Sequence, residues 1–179
     1  MIVTGLVCRY KPLFESYWQV MLFSAEHGRF YCLHRRSSRR TARADALGHF
    51  QPTTIITATV KQGRQFSYIS QVETTQLFHR ISTTYQRFDL AMYCLITVIK
   101  ITVLNQPNPE LYRVVTSTLT ALDDPVVDDI IALRTAFNYA VLQAEGLPIS
   151  SEIAYDDQVA AYSGLVHKKL NKNRNIDAL

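Results

Sequence analysis

Residues 53–60 read Thr-Thr-Ile-Ile-Thr-Ala-Thr-Val, and every one of them except Ala58 is β-branched. Branching at Cβ restricts a side chain in a helix and suits the pleated surface of a sheet. The stretch therefore predicts a strand. Gln62-Gly63-Arg64 follows as a turn, and residues 66–72 return to a strand pattern.

Three more strands are predicted before this hairpin. Residues 2–10 and 17–23 are rich in β-branched and aromatic side chains, and Ala25-Glu26-His27-Gly28 connects the second run to residues 30–33. No helical pattern separates these five short strands, and an open sheet of this size would leave long unpaired edges. The sequence therefore predicts a five-stranded OB-like β-barrel over residues 1–75.

The hydrophobic period changes from two to between three and four after residue 76. One helix face is predicted from Tyr85, Phe88, Met92, Leu95, Ile96, Ile99 and Val103. Asn108-Pro109 and Asp124-Pro125 each combine an N-cap residue with a proline at the first helical position, and they predict the starts of two more helices. We expect the third helix to end at Gly146.

A weaker pattern over residues 159–170 predicts one more helix, and the polar tail is expected to fray from about residue 168. The fold class is therefore α+β, with a barrel over residues 1–75 and a helical domain over residues 76–179. The 47% share of hydrophobic residues excludes a disordered chain.

Charge is distributed unevenly along the chain. Residues 1–80 carry 11 Lys or Arg and 4 Asp or Glu, a balance of +7, whereas residues 81–150 carry 4 and 7, a balance of −3. The remaining residues carry 4 of each sign. This asymmetry indicates an N-terminal unit that meets a polyanion.

Five arginines stand within nine residues at the end of the third predicted strand, with hydroxyl side chains between them: Arg35, Arg36, Arg39, Arg40 and Arg43. Such a segment cannot be buried, and guanidinium groups match phosphate oxygens in bidentate fashion. We interpret these arginines as a DNA-binding loop. Lys11, Lys61 and Arg64, at predicted strand ends and turns, extend the same candidate site.

Aromatic residues are interleaved with these basic residues in the barrel region. Core packing is the commoner role of an aromatic side chain, but some could stack on bases. The candidates are Tyr10, Phe14, Tyr17, Trp18, Phe30, Tyr31, Phe50, Phe66 and Tyr68.

Two other classes of function compete with nucleic-acid binding. The barrel could instead belong to a protein-interaction subunit whose arginine loop binds an acidic partner segment. A magnesium-dependent nuclease could use Asp123, Asp124, Asp128 and Asp129, although helix capping explains these carboxylates better.

Neither a catalytic constellation nor a metal site is predicted. The histidines are dispersed, the chain lacks the glycine-rich and serine motifs of nucleotide or ester hydrolysis, and Cys8, Cys32 and Cys94 have no metal-binding spacing. All three cysteines lie in apolar runs, where they are expected to pack as small hydrophobic residues. They suit a reducing compartment, and the absence of an apolar leader or a membrane-length span favours the cytoplasm.

Several strings then point to one family. Residues 7–16 read Val-Cys-Arg-Tyr-Lys-Pro-Leu-Phe-Glu-Ser, Glu26-His27-Gly28 follows, and residues 106–112 read Gln-Pro-Asn-Pro-Glu-Leu-Tyr. They resemble the Pro-aromatic-x-Glu-Ser loop, the Glu-x-Gly turn and the Glu-Pro-Asn-Pro-x-Leu-Phe helix link of the RecO family of DNA repair proteins. The resemblance extends over residues 1–147.

This resemblance implies a recombination mediator without catalytic activity or cofactor. It implies binding to single- and double-stranded DNA, strand annealing, and loading of RecA together with RecR and the single-stranded-DNA-binding protein, in the cytoplasm at the nucleoid. Many family members continue with a zinc module of four cysteines. This chain has no cysteine after Cys94, so we expect the module to be absent and the C-terminal part to be short.

Overall fold

The computed structural model describes residues 1–36 and 48–147. This part of the chain contains five strands, β1 (Ile2–Leu13), β2 (Tyr17–Ser24), β3 (Gly28–Arg35), β4 (Ile55–Gln62) and β5 (Ser67–Gln76). A short 3₁₀ helix (His79–Ser82) leads to α1 (Tyr85–Ile101), α2 (Pro109–Asp123) and α3 (Ile130–Ala144). The α+β class is confirmed, and the helix predicted over residues 159–170 lies outside the described residues.

The five strands close into a barrel in the order β1-β2-β3-β5-β4. Strand β1 closes it by pairing with β4 through its first half and with β2 through its second half. The β3–β5 pairing is parallel, and the other pairings are antiparallel. Closure leaves no free sheet edge, which is the reason the sequence predicted a barrel.

Inward-facing side chains fill the barrel. Because side chains alternate across a strand, every second residue of each strand points inside. The interior cluster consists of Val3, Val7, Val20, Leu22, Phe30, Cys32, Phe50, Ile56, Ala58, Val60 and Ile69. A barrel this small is thus a packed core rather than a pore.

A second core lies outside the barrel, between its β1–β2 surface and the helices. Leu6 and Cys8 of β1, together with Met21 and Phe23 of β2, belong to the same buried cluster as the inner faces of α1, α2 and α3. The rings of Phe23 and Tyr112 lie 5.7 Å apart across this contact. Barrel and helices therefore share one hydrophobic core.

The buried face of helix α1 is rotated from the predicted one but shares Leu95 with it, and Met92 and Ile99 of the predicted face pack against the same core. Its buried residues are Arg87, Leu90, Ala91, Cys94, Leu95 and Val98, whereas Tyr85, Phe88 and Ile96 are exposed. Apolar residues of α1 occur on most sides of the helix, so the hydrophobic period alone does not predict which side is buried. The buried stripe contains Ala91 and Cys94, whose small side chains permit close packing.

The third helix begins later than predicted, and Asp124 is not its N-cap. The carboxylate of Asp129 caps α3 by accepting a hydrogen bond from the Ala132 amide at 2.8 Å. Asp124 instead ends α2 and accepts from the Val126 amide at 2.9 Å. The Asn108 cap of α2 is confirmed, since its Oδ1 accepts from the Leu111 amide at 3.0 Å.

A buried arginine explains why residues 124–129 stay outside a helix. The guanidinium of Arg87 donates to the carbonyl oxygens of Leu122, Asp124 and Val127. The Asp124 and Val127 carbonyls are thereby held toward α1, and the Leu122 carbonyl, in the last turn of α2, gains a donor that the helix does not supply. The connection between α2 and α3 is organised around this one side chain.

The β2–β3 hairpin lies against the link between α1 and α2. The amide of Asn105 donates to the carbonyl of Arg29 at 2.8 Å. Gly28, at φ +65°, approaches the link so closely that a Cβ atom there would lie 1.8 Å from the Gln106 carbonyl oxygen. This contact fixes the hairpin to the helical part.

All three cysteines are free and buried, which confirms that they pack as small hydrophobic residues. Burial raises the pKa of Cys8 and of Cys32 to about 12. Their thiols therefore stay protonated and unreactive in the folded protein.

Candidate nucleic-acid interface

One row of residues crosses the outside of the barrel over all five strands. Lys11 on β1 pairs with Gln19, Gln19 with Leu33, Leu33 with Tyr68, and Tyr68 with Lys61 on β4. Cross-strand partners project from the same side of a sheet, so these five side chains point outward, and all but the buried Leu33 reach the outer surface. A lysine stands at each end of the row, both lysines are exposed, and the row contains no carboxylate.

Helices α1, α2 and α3 leave this part of the barrel uncovered. Tyr17, Gln19, Met21 and Phe23 all point outward from β2 because they alternate along it. Met21 and Phe23 lie beneath the helices, whereas Tyr17 and Gln19 remain partly exposed. The outer surface is therefore divided into a covered apolar half and an open polar half.

Arg9 and Lys11 extend along the open half beside Tyr31. A small cleft is lined by Arg9, Lys11, Gln19, Met21 and Tyr31. The register of β1, β2 and β3 brings these side chains together, because Arg9 pairs with Met21 and Met21 pairs with Tyr31. Two cations two residues apart on one strand can contact successive phosphates of a backbone.

Arg35 lies at the other end of the same face, and Arg36 follows it directly after β3. Arg35 is exposed at the end of β3, opposite Tyr17. The Arg36 guanidinium lies 5.0 Å from the centroid of the Trp18 ring and donates to the Glu15 carbonyl at 3.2 Å. Arg35 thus begins the predicted loop on the open half, Arg36 lies over the buried Trp18, and Arg39, Arg40 and Arg43 lie outside the described residues.

Lys61 and Arg64 are both exposed, Lys61 near the end of β4 and Arg64 in the β4–β5 turn. The turn closes with a hydrogen bond from the Gly63 amide to the Phe66 carbonyl at 2.9 Å. We use the name basic face for the outward residues Arg9, Lys11, Tyr17, Gln19, Arg35, Lys61 and Tyr68. Arg64 borders it.

The barrel aromatics divide into core and surface groups. Trp18, Phe30 and Phe50 are buried, and Tyr10 packs against the barrel interior. The others present ring surface to solvent: Phe14, Tyr17, Tyr31, Phe66 and Tyr68. Tyr17 and Tyr68 contact each other at 6.0 Å between centroids in the middle of the basic face, where they offer a stacking surface for a base.

Reading the sequence for site residues missed Arg9 and Gln19. Both could have been predicted from the alternation of side chains along a strand. Arg9 must point to the same side of β1 as Lys11, and Gln19 to the same side of β2 as Tyr17. Their position beside Tyr31 could not be predicted from the sequence, because it depends on the pairing of three strands.

Three of the four aspartates considered for a nuclease have structural roles. The Asp123 carboxylate accepts from the Arg80 amide at 2.7 Å, and Asp124 and Asp129 end α2 and begin α3. Within residues 1–36 and 48–147, no group of three or more His, Cys, Asp or Glu side chains could hold a metal ion. Over the same described ranges, no helix has the length and hydropathy to cross a membrane.

The strand order, the closed barrel and the helices that follow define an OB-fold domain with a helical extension. The family model described as Recombination protein O N terminal matches residues 1–78, which span the whole barrel. Residues 1–78 are therefore similar to the N-terminal domain of the RecO family, whose role is in recombination and DNA repair. Comparison with curated proteins finds no match.

Proposed function

We propose that this protein is a DNA-binding recombination mediator without catalytic activity, and that the basic face of the barrel is its DNA site. The observation that carries the proposal is the row from Lys11 to Lys61, which joins exposed cations at both ends to aromatic and amide side chains in the middle. Cations neutralise phosphates, and exposed rings accept bases of any sequence.

Binding by this face is expected to depend little on base sequence and strongly on salt. Arg9, Lys11, Lys61 and Arg64 would contact the backbone, together with the arginine loop that begins at Arg35. Single strands present unstacked bases to the tyrosines, and double strands would be held through phosphates alone. Strand annealing follows from the neutralisation of two backbones on one surface.

The match of residues 1–78 to the RecO N-terminal model supports the wider role. In that role the protein anneals complementary strands and loads RecA with RecR and the single-stranded-DNA-binding protein, in the cytoplasm at the nucleoid. The helical part, whose residues 81–150 carry a net charge of −3, would contact proteins rather than DNA. No cofactor is required for any of these steps.

The test is fluorescence anisotropy of a labelled single-stranded oligonucleotide across a salt series. A face variant replaces Arg9, Lys11 and Lys61 with Ala, and a matched control replaces the exposed Arg80, Lys100 and Arg113 of the helical part. Each lost phosphate contact flattens the log–log salt slope by about 0.7. We expect the face variant to lose up to about 2 units of slope and the control to match the native protein.

A loop variant with Arg35, Arg36, Arg39, Arg40 and Arg43 replaced by Ala should lose up to about 3.5 units. The labelled strand should remain intact in Mg²⁺. Equal losses in the face variant and the control would show attraction by net charge alone and contradict the site. Salt-sensitive binding to a polyglutamate peptide, without binding to DNA, would favour the interaction subunit that binds an acidic partner.

A further inference from the structure

A groove of about 630 Å³ opens beside the basic face, between the β2–β3 hairpin, the β4–β5 turn and the link from α1 to α2. Its lining differs in chemistry from the basic face. It contains the amides of Gln19, Gln62, Gln65 and Asn105 and the rings of Tyr31 and Phe66. We use the name amide groove for it.

The amide groove joins the basic face directly. Gln19 and Tyr31 line both the groove and the small cleft that holds Arg9 and Lys11. A strand whose phosphates contact Arg9 and Lys11 therefore runs to the mouth of the groove. Charge is separated between the two sites: the cleft holds two cations, whereas the groove is lined by neutral side chains together with one imidazole, His27, and one carboxylate, Glu26.

The groove offers free hydrogen-bonding groups. No hydrogen bond joins the side-chain amides of Gln19, Gln65 or Asn105 to any other of the described residues. The Gln62 oxygen accepts from the Ser67 hydroxyl at 3.0 Å, which leaves its NH₂ group as a donor. An amide presents both a donor and an acceptor, the combination that matches the edge of a nucleobase.

Two exposed rings complete the site. Tyr31 is 38% exposed and Phe66 is 41% exposed, and both line the groove. Stacking on an aromatic ring is a main source of affinity for unpaired bases. On the opposite wall, the hydrogen bond from Asn105 to Arg29 holds the helix link against β3, so the groove has a fixed shape.

We propose that the amide groove receives an unstacked nucleobase of a bound single strand, whose flanking phosphates lie on Arg9 and Lys11. This inference rests on the proposed DNA-binding function. It adds a place where one base is taken out of the stack and held by stacking and by neutral hydrogen bonds.

The test compares a single-stranded oligonucleotide with an abasic one of the same length and phosphate count. Native protein and the Phe66→Ala and Gln65→Ala variants are titrated with both, and Tyr85→Ala, an 80% exposed aromatic on α1, serves as the control. Phe66→Ala should weaken binding of the intact strand about tenfold, because it removes a stacking surface. Gln65→Ala should also weaken it, and the salt slope should not change.

Binding of the abasic strand should be the same in all four proteins, because it depends on phosphates only. If the intact strand binds native protein no better than the abasic one, or if both groove variants behave like Tyr85→Ala, the groove does not hold a base and the DNA-binding function stands. If native protein binds neither strand, the proposed function itself fails and the groove proposal fails with it.

Discussion

The guanidinium of Arg29 donates two hydrogen bonds to Thr102, the residue that follows α1. Its Nε lies 2.9 Å from the Thr102 hydroxyl, and its Nη2 lies 2.7 Å from the Thr102 carbonyl. Both groups are buried, and the residues are 73 positions apart in the sequence. One side chain of β3 thus secures the end of the first helix to the barrel.

Replacing Arg29 with Met should lower the free energy of unfolding by about 2–4 kcal/mol, because two buried oxygen acceptors of Thr102 lose a charged donor. Thr102→Val removes the hydroxyl that accepts from Arg29 and donates to the Val98 carbonyl, and it should cost about 1–3 kcal/mol. Urea unfolding of both single variants and the double variant forms a cycle whose coupling energy should exceed about 0.5 kcal/mol. Strictly additive losses would contradict a direct bond between the two side chains.

Gly28→Ala should destabilise the fold far more than Gly146→Ala. Both glycines have positive φ, +65° and +70°, so both substitutions strain the backbone. A Cβ at Gly28 also collides with the Gln106 carbonyl, whereas one at Gly146 meets no atom within 4 Å. We expect about 1–2 kcal/mol at Gly146 and about 3 kcal/mol or more at Gly28, measured by thermal unfolding. Equal losses would mean that the hairpin does not lie tightly against the helix link.

Arg87→Met should cost about 3 kcal/mol or more of unfolding free energy, because it leaves the Leu122, Asp124 and Val127 carbonyls without their donor. Arg87→Lys should rescue only part of the loss, since an ammonium cannot span three acceptors. Arg113→Met is the control: this arginine pairs with Glu110 on the surface of α2 at 2.9 Å and should cost less than about 1 kcal/mol. A small effect at Arg87 would contradict its organising role.

Stability should fall in mild acid through His34. Burial lowers the pKa of this imidazole below its ordinary 6.5, although a backbone hydrogen bond to Ile69 opposes the shift. Its Nδ1 has no partner among the described residues. The unfolded chain therefore takes up a proton at higher pH than the native protein does. The contribution of neutral His34 is complete above pH 6.5 and is lost as the pH falls from there toward the native pKa.

Urea unfolding at pH 7.5, 6.5 and 5.5 should show a steeper loss for native protein than for His34→Gln, which cannot titrate. The other histidines are present in both proteins, so the difference isolates His34. Parallel pH profiles for the two proteins would contradict the assignment.

The barrel was predictable because its signals are local. The β-branched run before Val60 and the turns at Gly28 and Gly63 each determine structure over a few residues. The Asn108-Pro109 start of α2 is local in the same sense. The boundary between domains at residues 75 and 76 remains a prediction, although the change from strand to helix occurs close to it.

The predictions that failed depend on contacts between distant residues. The buried face of α1 depends on packing by Ala91 and Cys94, and the late start of α3 depends on Arg87, 42 positions before the Asp129 cap. The amide groove joins Gln19, Gln62 and Asn105, which no periodicity connects. Pairing of strands and docking of helices create these relationships, and a single sequence does not display them.

The core shared by barrel and helices has a consequence during synthesis. The last strand is complete when Gln76 has been made, yet the helices that cover Leu6, Cys8, Met21 and Phe23 are complete only at Ala144. At about 5–20 residues per second, those 68 residues (144 − 76) take roughly 3–14 seconds to translate. For that interval the nascent barrel presents a bare apolar stripe, and the ribosome-bound chain is at its most prone to aggregation and to capture by chaperones.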